Sequence, residues 1–390
     1  MARMPDRVVF TPLGCNKCGR GLLVVALALL AIGVVAVHSA MASVSTVGQW
    51  YSRLDVRHTL FAVAAGVVLI SAWLIDYRWL AGKSRRFPVV AGVLLGLSLV
   101  CGGLVFVPGI GHSVNGCARW IRLGPPQFAL GFQPSEMIKI SLVVFLAAWL
   151  SRKDVDVRSF RETFVPAMVL ISFCVGLVVS QDFGMAVLIG IAGATTLLVA
   201  GVPMGHMLML TGPAAAGVYF FLLRSPHRMA RITAMFDIWS ADNPSAYQPR
   251  QSMLAILTGG WTGKGLGNGS LKLGFLPEDT TDFIYSALCE EWGLIGAILV
   301  LGLFVLWIGY AWQIALDASD RFGQLLAGSL GFLVAAQALM HIAVDTVVLP
   351  PTGISLPFIS AGGTSLVLMA GAASLIISVS ARQKVEGPVA

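Results

Sequence analysis

The chain has 390 residues, of which 57% are hydrophobic and only 12% are charged. Soluble domains carry roughly 25% charged residues, so a water-soluble globule of this length could not cover its surface with so few polar groups. The net charge is +7, and no stripe of Lys and Arg interleaved with aromatic residues is present. The composition therefore excludes a disordered chain, argues against nucleic-acid binding and favours an integral membrane protein.

Apolar runs close to the ~20 residues that cross a bilayer recur along the whole chain. The sequence predicts an all-α polytopic membrane protein with about ten transmembrane helices, forming a single domain over residues 1–390. The predicted spans are 22–41, 59–79, 88–107, 137–151, 164–180, 184–202, 206–223, 283–314, 322–345 and 361–381.

The distribution of Lys and Arg among the short loops predicts the orientation. Residues 78–86 and 152–161 are basic, as is the N-terminal segment, which predicts that both termini lie in the cytoplasm. The cytoplasmic ends are then residues 1–21 and 382–390. A long extracytoplasmic loop, residues 224–282, joins the seventh and eighth helices, and loops this long are uncommon unless functional.

Ionisable residues inside or beside a span are candidates for function. Glu136 and Lys139 are spaced i, i+3 and share a helix face, just after the basic stretch that contains Arg119 and Arg122. These residues form either an interfacial ion pair or a cationic shelf for an anionic headgroup. Asp182 lies in a very short turn between two apolar runs, where it is either paired with a cation or functional.

The segment 224–282 contains three signals. Arg224, His227, Arg228 and Arg231 have the spacing of one helix face. The glycine run 259–269 could bring backbone amides close to a phosphate, although it lacks the P-loop pattern and is a weak signal alone. Asp282 lies immediately before the eighth span, where it either interacts with the helix dipole or acts as a general base.

The late helices contain further charges that are costly unless they face a cavity or each other. Glu290 and Glu291 lie inside the eighth span, and His341 and Asp345 are spaced i, i+4 at the end of the ninth. A hydrogen bond between the last two is more probable than a metal site. Residues 349–365 are too rich in Pro and Gly to form a helix, so they must line a cavity or be buried in protein.

In combination and in order, these motifs resemble the SEDS family, the FtsW/RodA peptidoglycan glycosyltransferases. The resemblance covers nearly the whole chain, although Ser180-Gln181-Asp182 stands where Gln-Pro-Asp is usual and His341 stands where Asn is common. The matching motifs are Asn115-Gly116 with Arg119-Trp120-Ile121, Gln133-Pro134-Ser135-Glu136 with Lys139, Tyr247-Gln248 with Gln251-Ser252, the glycine run, Leu276-Pro277-Glu278, Thr281-Asp282-Phe283, Glu290-Glu291-Trp292-Gly293, and Pro357-Phe358-Ile359-Ser360.

The resemblance implies a reaction: lipid II is polymerised outside the cytoplasmic membrane through inverting β-1,4 glycosyl transfer, with release of undecaprenyl diphosphate. It gives Asp282 the role of general base. We expect the substrate and its diphosphate to be bound by Arg119, Trp120, Lys139, Arg231, Arg250, Lys264 and Lys272. The residues expected to support them are Asn115, Glu136, Asp182, Gln248, Gln251, Ser252, Glu278, Glu290 and Ser360.

The resemblance also implies partners and a location. Family members lie in the bacterial inner membrane and work with a class B penicillin-binding protein and with other divisome or elongasome membrane proteins. The motif Gly265-Leu266-Gly267 favours the division (FtsW) branch. No cofactor is assigned. Mg²⁺ or Mn²⁺ could assist the diphosphate, but no dedicated metal ligands are evident. The alternatives are a flippase or transporter of a lipid-linked sugar and a noncatalytic scaffold for the penicillin-binding protein.

Overall fold

The structure is a computed structural model that describes residues 16–41, 53–82, 87–114, 117–123, 130–239, 243–270 and 279–382. These residues form a helical bundle with one small antiparallel sheet. The helices are α1 Lys17–Met41, α2 Leu54–Ile70, α3 Arg78–Ala81, α4 Val89–Leu104, α5 Pro134–Leu150, α6 Val165–Val179, α7 Phe183–Ala200, α8 Met204–Leu223, α9 Pro226–Phe236, α10 Tyr247–Gly259, α11 Ile284–Leu316, α12 Arg321–Asp345 and α13 Thr364–Ser380. The strands are β1 Gly111–Val114, β2 Cys117–Leu123 and β3 Leu130–Phe132.

Seven helices of the described residues are long and apolar enough to cross a membrane. They are α1, α2 with its 3₁₀ extension to Leu74, α6 with its preceding π-helical turn, α7, α8, α11 and α12. The apolar helices α4 and α13 are shorter, and α5 is a 17-residue helix in the interior. Each of the ten predicted spans therefore corresponds to a helix, and the predicted all-α fold class is confirmed.

Helix α5 forms the centre of the bundle. All of its residues are buried except Met137 and Trp149. A helix that is apolar on every side is stable only when other helices surround it, and α4, α7 and α12 pack against α5. Helix α8 is the opposite case: none of its residues is buried, which places it on the lipid-facing periphery.

Helix α11 is long because it joins two helical pieces at Gly293, where the backbone adopts φ 66° and ψ −161°. The glycine run packs against this break. The amides of Lys264 and Gly265 donate to the carbonyls of Glu290 and Glu291, and the amide of Leu294 donates to the Gly260 carbonyl. The glycine run therefore satisfies the backbone of a broken helix, and these two amides are engaged by protein rather than by a phosphate.

The segment 224–282 is not a bare loop, because its described residues include α9 and α10. The expectation of one shared helix face for its basic residues is wrong. Helix α8 ends at Leu223 and α9 begins at Pro226, so Arg224 is not on the helix that carries Arg228 and Arg231. The side chain of His227 is outside the described part.

Residues 346–363 form an irregular segment, as predicted for 349–365; its residues 356–360 are buried, whereas Val348 and Leu349 are exposed. Phe358 has a positive φ of 65° and is 1% exposed. Its ring packs against Trp307 at a centroid distance of 5.2 Å. The small sheet was not expected from the sequence. It pairs β1 with β2 and β2 with β3, with His112 opposite Trp120 and Arg122 opposite Gly131.

The bundle has two different ends. The sheet, α9, α10 and the irregular segment 346–363 lie together at one end, which we call the site end; for example, Arg231 Nη1 donates to the Pro351 carbonyl at 2.8 Å. At the opposite end, Tyr77 donates to Asp320 at 2.8 Å and Arg78 pairs with Asp320 at 3.0 Å. Burial raises the pKa of Tyr77 to about 12.

Candidate active site

Asp282 lies on a turn that the irregular segment holds in place. The Ala361 amide donates to the Thr280 carbonyl at 3.0 Å, and Ser360 Oγ donates to the Thr281 carbonyl at 2.7 Å. Ser360 Oγ in turn accepts the Leu356 amide at 2.7 Å. Ser360, a predicted supporting residue, therefore fixes the backbone immediately before Asp282.

Arg119 approaches the Asp282 turn from β2. Its Nη1 forms an ion pair with Asp182 Oδ2 at 3.3 Å, and Asp182 Oδ1 accepts the Met185 amide at 2.9 Å at the start of α7. A Cβ atom built on Gly353 would lie 3.5 Å from Arg119 Nη1 and 3.5 Å from Asp282 Oδ2. The Arg119 and Asp282 groups are therefore no farther apart than twice that distance, and the positive φ of 74° at the intervening Gly353 favours glycine there.

Charges of both signs surround Asp182, which is 2% exposed. Burial raises the pKa of its carboxyl group; Arg119 and Arg231 oppose this shift, whereas Glu136 adds to it. The predicted residues Arg119, Glu136, Asp182 and Arg231 are thus brought into one electrostatic cluster.

Several buried polar atoms around this cluster form no hydrogen bond with the described residues. They are Arg119 Nε, Gln181 Nε2 and Thr352 Oγ1. Buried polar groups in native proteins are almost always satisfied, so these atoms retain hydrogen-bonding capacity that a bound substrate or water can use. Gln181 and Thr352 flank Asp182 and Gly353, and the sequence analysis did not identify them.

Lys139 is fully buried beneath this cluster. Its Nζ donates to Glu136 Oε2 and to Gln337 Oε1, both at 2.6 Å. Gln337 Nε2 donates to the Ser355 carbonyl at 2.8 Å and so connects α5 with the irregular segment. The predicted Glu136–Lys139 pair is present. Gln337 was missed, although an amide in an apolar span is itself a signal.

Asp345 lies on the other side of Asp282 and within its electrostatic range. Its Oδ2 accepts the Ser286 amide at 2.9 Å in the first turn of α11, where the helix dipole favours an anion. Ser252, a predicted supporting residue, donates to the Asp345 carbonyl at 2.6 Å. His341 Nε2 is 3.6 Å from Asp345 Oδ2, so the two are close but form no well-made hydrogen bond.

Other predicted residues lie farther along the site end. Lys264 pairs with Glu290 at 2.6 Å, and Ser270 also donates to Glu290. Their contacts fasten the glycine run to α11. Arg250 lies on α10 with its guanidinium 6.0 Å from the Tyr247 ring centroid. Three predicted residues, Asn115, Lys272 and Glu278, lie outside the described residues, and the half-buried Gln248 and Gln251 lie on α10.

Within the described residues, no group of three or more His, Cys, Asp or Glu side chains is arranged to hold a metal ion. No chemical step is therefore assigned to Mg²⁺ or Mn²⁺. What the geometry offers is a carboxylate on a fixed turn, Asp282, facing a guanidinium with an unfilled buried donor, Arg119. This combination can accept a proton and stabilise an anion at the same site.

A model of the FtsW/RodA/SpoVE family, described as "Cell cycle protein", matches residues 20–385. The chain belongs to this family. A probable peptidoglycan glycosyltransferase FtsW of Geobacter metallireducens is 36% identical over 369 residues, covering 93% of this chain and 94% of the relative. A protein of the same name from Halomonas elongata is 37% identical over 369 residues, with coverages of 93% and 90%. These relatives support the FtsW branch of the family.

Solved structures of the FtsW/RodA/SpoVE family have the same fold. A chain from a structure entitled "Structural coordination of polymerization and crosslinking by a peptidoglycan synthase complex" superposes with a TM-score of 0.75, 25% identity, and coverage of 94% of this chain and 98% of that one. The rod-shape-determining protein RodA of Thermus thermophilus superposes with a TM-score of 0.66, 23% identity, and coverages of 94% and 97%.

Proposed function

We propose that this protein is a peptidoglycan glycosyltransferase of the division machinery, which polymerises lipid II with Asp282 as general base. The observation that carries the proposal is the space at Gly353 between Asp282 Oδ2 and Arg119 Nη1. The relatives named probable peptidoglycan glycosyltransferase FtsW support the reaction class. A flippase would place its essential charges at mid-membrane, and a scaffold would not need a carboxylate beside orphaned donors.

In the proposed reaction, Asp282 removes the proton of the acceptor sugar's 4-hydroxyl group while that oxygen attacks the donor's anomeric carbon. The new carbon–oxygen bond forms as the bond to the diphosphate oxygen breaks, and the electron pair leaves with undecaprenyl diphosphate. Inversion at the anomeric carbon gives the β-1,4 linkage. General-base catalysis contributes about 10²–10⁴-fold to such a step.

The cations stabilise the leaving group in this proposal. Arg119 has an unfilled Nε donor, and an arginine fork matches the oxygens of a diphosphate. Arg231 and Lys139 add positive charge from α9 and α5, and Asp182 holds Arg119 in position until the substrate binds. Arg250 and Lys264 lie farther along the site end and would act along the path by which the substrate approaches. Lys272 lies outside the described residues and stays a prediction.

We further propose that a class B penicillin-binding protein is the partner, since the similar solved chain comes from a complex entitled as coordinating polymerization and crosslinking. The active site faces the outside of the cytoplasmic membrane, where lipid II is consumed. Co-expression with the host's class B penicillin-binding proteins should yield a stable complex. If every such candidate failed to co-purify, the partner proposal would be wrong.

The test is polymerisation of purified lipid II by the protein and its partner, comparing wild type with Asp282→Asn. We expect the variant to lose at least about 100-fold in rate, because the amide cannot accept the proton. Asp237→Asn is the matched control: Asp237 is an exposed residue at the end of α9 in the same segment. It should polymerise at the wild-type rate.

Two outcomes would contradict the proposal. Normal polymerisation by Asp282→Asn would remove Asp282 from the mechanism. If wild-type protein made no glycan but moved lipid II across liposome bilayers, the protein would be a flippase.

A further inference from the structure

A second cavity lies on the other face of β2. Side chains alternate between the two faces of a strand, so Arg119 points to Asp182 while Trp120 and Arg122 point away from it. Behind them is a cavity of ≈ 280 Å³. Its described lining residues are Leu54, Arg57, His58, Phe61, His112, Trp120, Arg122, Gly131, Ala361, Gly362 and Gly363.

One face of α2 forms a wall of the cavity. Leu54, Arg57, His58 and Phe61 have the i, i+3, i+4, i+7 spacing of one face of α2. Gly131 lies under the Trp120 ring, where a Cβ atom would be 2.9 Å from Cε3. The Trp120 indole therefore contacts the backbone of β3 at Gly131, at the edge of the cavity.

The lining is cationic. It contains Arg57 and Arg122, and none of its described residues is acidic. The acid nearest in sequence, Asp55, is engaged by Arg53 at 2.7 Å. Arg122 Nη2 lies 3.1 Å from His112 Nε2, and the Arg122 side chain is otherwise exposed.

His58 is the unusual residue of this cavity. It is 2% exposed, and neither ring nitrogen makes a well-formed hydrogen bond within the described residues, although the Gly33 backbone of α1 lies close enough to interact with the ring. Burying a polar ring with incomplete hydrogen bonding costs free energy. A ligand that accepts a hydrogen bond from His58 would remove that cost, which gives a physical reason for the residue in an apolar helix.

We propose that this cavity is a second ligand site, which binds the acidic group of a sugar conjugate. Trp120 and Phe61 offer apolar faces for the sugar ring, and Arg57, Arg122 and His58 offer donors for a carboxylate or a phosphate. The cavity is slightly smaller than the roughly 300–1,000 Å³ of drug-sized pockets, so it suits one sugar residue with its acidic group.

This inference rests on the proposed function, because it identifies the ligand as part of the glycan substrate or product. Trp120 and Arg119 are consecutive residues of β2, and Ser360, which fixes the Asp282 turn, directly precedes the Ala361–Gly363 edge of the cavity. One strand and one loop thus connect the two sites. A strand held in the second site would keep its next sugar near Asp282 between additions.

The acidic group has two sources, the peptide carboxylates of the disaccharide-pentapeptide and the diphosphate of the lipid. We would measure the binding of soluble disaccharide-pentapeptide and of undecaprenyl diphosphate separately, to full-length protein in phosphatidylcholine nanodiscs. The variants are Arg122→Gln and His58→Leu, and the control is Arg158→Gln, an exposed arginine of the opposite end. No turnover is needed, so failure of the Asp282 mechanism would not affect the result.

We expect one of the two probes to bind the wild type and Arg158→Gln with equal affinity. The same probe should bind Arg122→Gln and His58→Leu about tenfold more weakly, because each of these two variants loses a hydrogen bond to a charged group. His58→Leu should also unfold at a higher temperature than wild type, since it removes a buried polar ring with incomplete hydrogen bonding. That pairing of higher stability with weaker binding would not arise from a purely structural role.

The probe that responds identifies the source of the acidic group. Unchanged affinity of both probes in both variants would overturn the proposal. A third probe, phosphatidylglycerol added to the nanodiscs, tests for bulk lipid. Arg122-dependent binding of phosphatidylglycerol alone would also overturn the proposal, because it would make the cavity a site for bulk lipid.

Discussion

The charged side chains buried at the site end are not explained by stability alone. Lys139 is 0% exposed, and its only hydrogen-bond partners in the described residues are Glu136 and Gln337. Replacing a buried ion pair by apolar residues is often neutral or stabilising, so stability alone does not explain such a pair. The neighbouring Asp182 lies within electrostatic range of Lys139, which links the pair to the site.

Lys139→Met tests whether the Lys139–Glu136 pair serves stability or catalysis. We expect it to lower the free energy of unfolding by roughly 3–5 kcal/mol, because Glu136 is left as an uncompensated buried charge. The double variant Lys139→Met with Glu136→Gln should recover most of that loss. Thermal unfolding in detergent measures both.

The polymerisation rate of the double variant separates the two roles. We expect it to remain low, because one of the cations that stabilise the leaving group is missing. A double variant that regained both stability and activity would show that Lys139 is structural only.

At the scale of elements, the break in α11 positions the long helix and the glycine run against each other. Gly293 and Gly263 both have positive φ, and a Cβ on Gly293 would lie 2.4 Å from the Gly263 nitrogen. A Cβ on Gly259 would lie 2.0 Å from the Cys289 carbonyl oxygen. The density of glycine in this run follows from close approach of two backbones.

Gly293→Ala should destabilise the protein by roughly 2–5 kcal/mol, from positive-φ strain together with the backbone clash. Gly302→Ala in the same helix is the control, since nothing lies within 4 Å of its Cβ position. That change should be neutral or slightly stabilising, because alanine is the better helix former. Thermal unfolding measures the stability of the two variants. Equal stabilities would contradict the claim that the break in α11 requires glycine at position 293.

The outcome for α11 also shows what hydropathy can predict. The ten spans were predictable because apolar length is local and the bilayer sets it. The break at Gly293 was not predictable from hydropathy. The Leu294 amide just after the break donates to the carbonyl of Gly260, which belongs to a segment more than 30 residues away. The short strands β1–β3 carry no clear alternation; they are held by pairing with one another and by contacts of β2 with α5 and of β3 with α13.

The candidate site was likewise predictable only in part. Asp282, Arg119, Glu136, Lys139 and Asp182 were identified as charges in costly positions, and the structure places Arg119, Glu136, Lys139 and Asp182 in one cluster with Asp282 beside it. The intervening contacts were not predictable, because they depend on how distant segments pack. Those contacts include Gly353, Gln337, Thr352 and the whole second cavity.

The two ends of the whole molecule differ in a way that constrains its orientation. Helix α5 runs from Pro134 at the site end to Leu150, about 25 Å away at 1.5 Å per residue. The basic loop 152–161 therefore lies at the opposite end of the bundle from Asp282. The positive charges of that loop favour the cytoplasmic side of the membrane for this end of the bundle.

The orientation is testable with the full-length protein by labelling single introduced cysteines in spheroplasts. We expect Asp237→Cys, at the exposed end of α9, to react with a membrane-impermeant maleimide from outside. Lys153→Cys, also exposed, should react only after permeabilisation, because the basic loop is held inside. Unsubstituted protein corrects for the native cysteines. The reverse pattern would place Asp282 in the cytoplasm, where no acceptor glycan strand is available, and would exclude the proposed polymerisation outside the membrane.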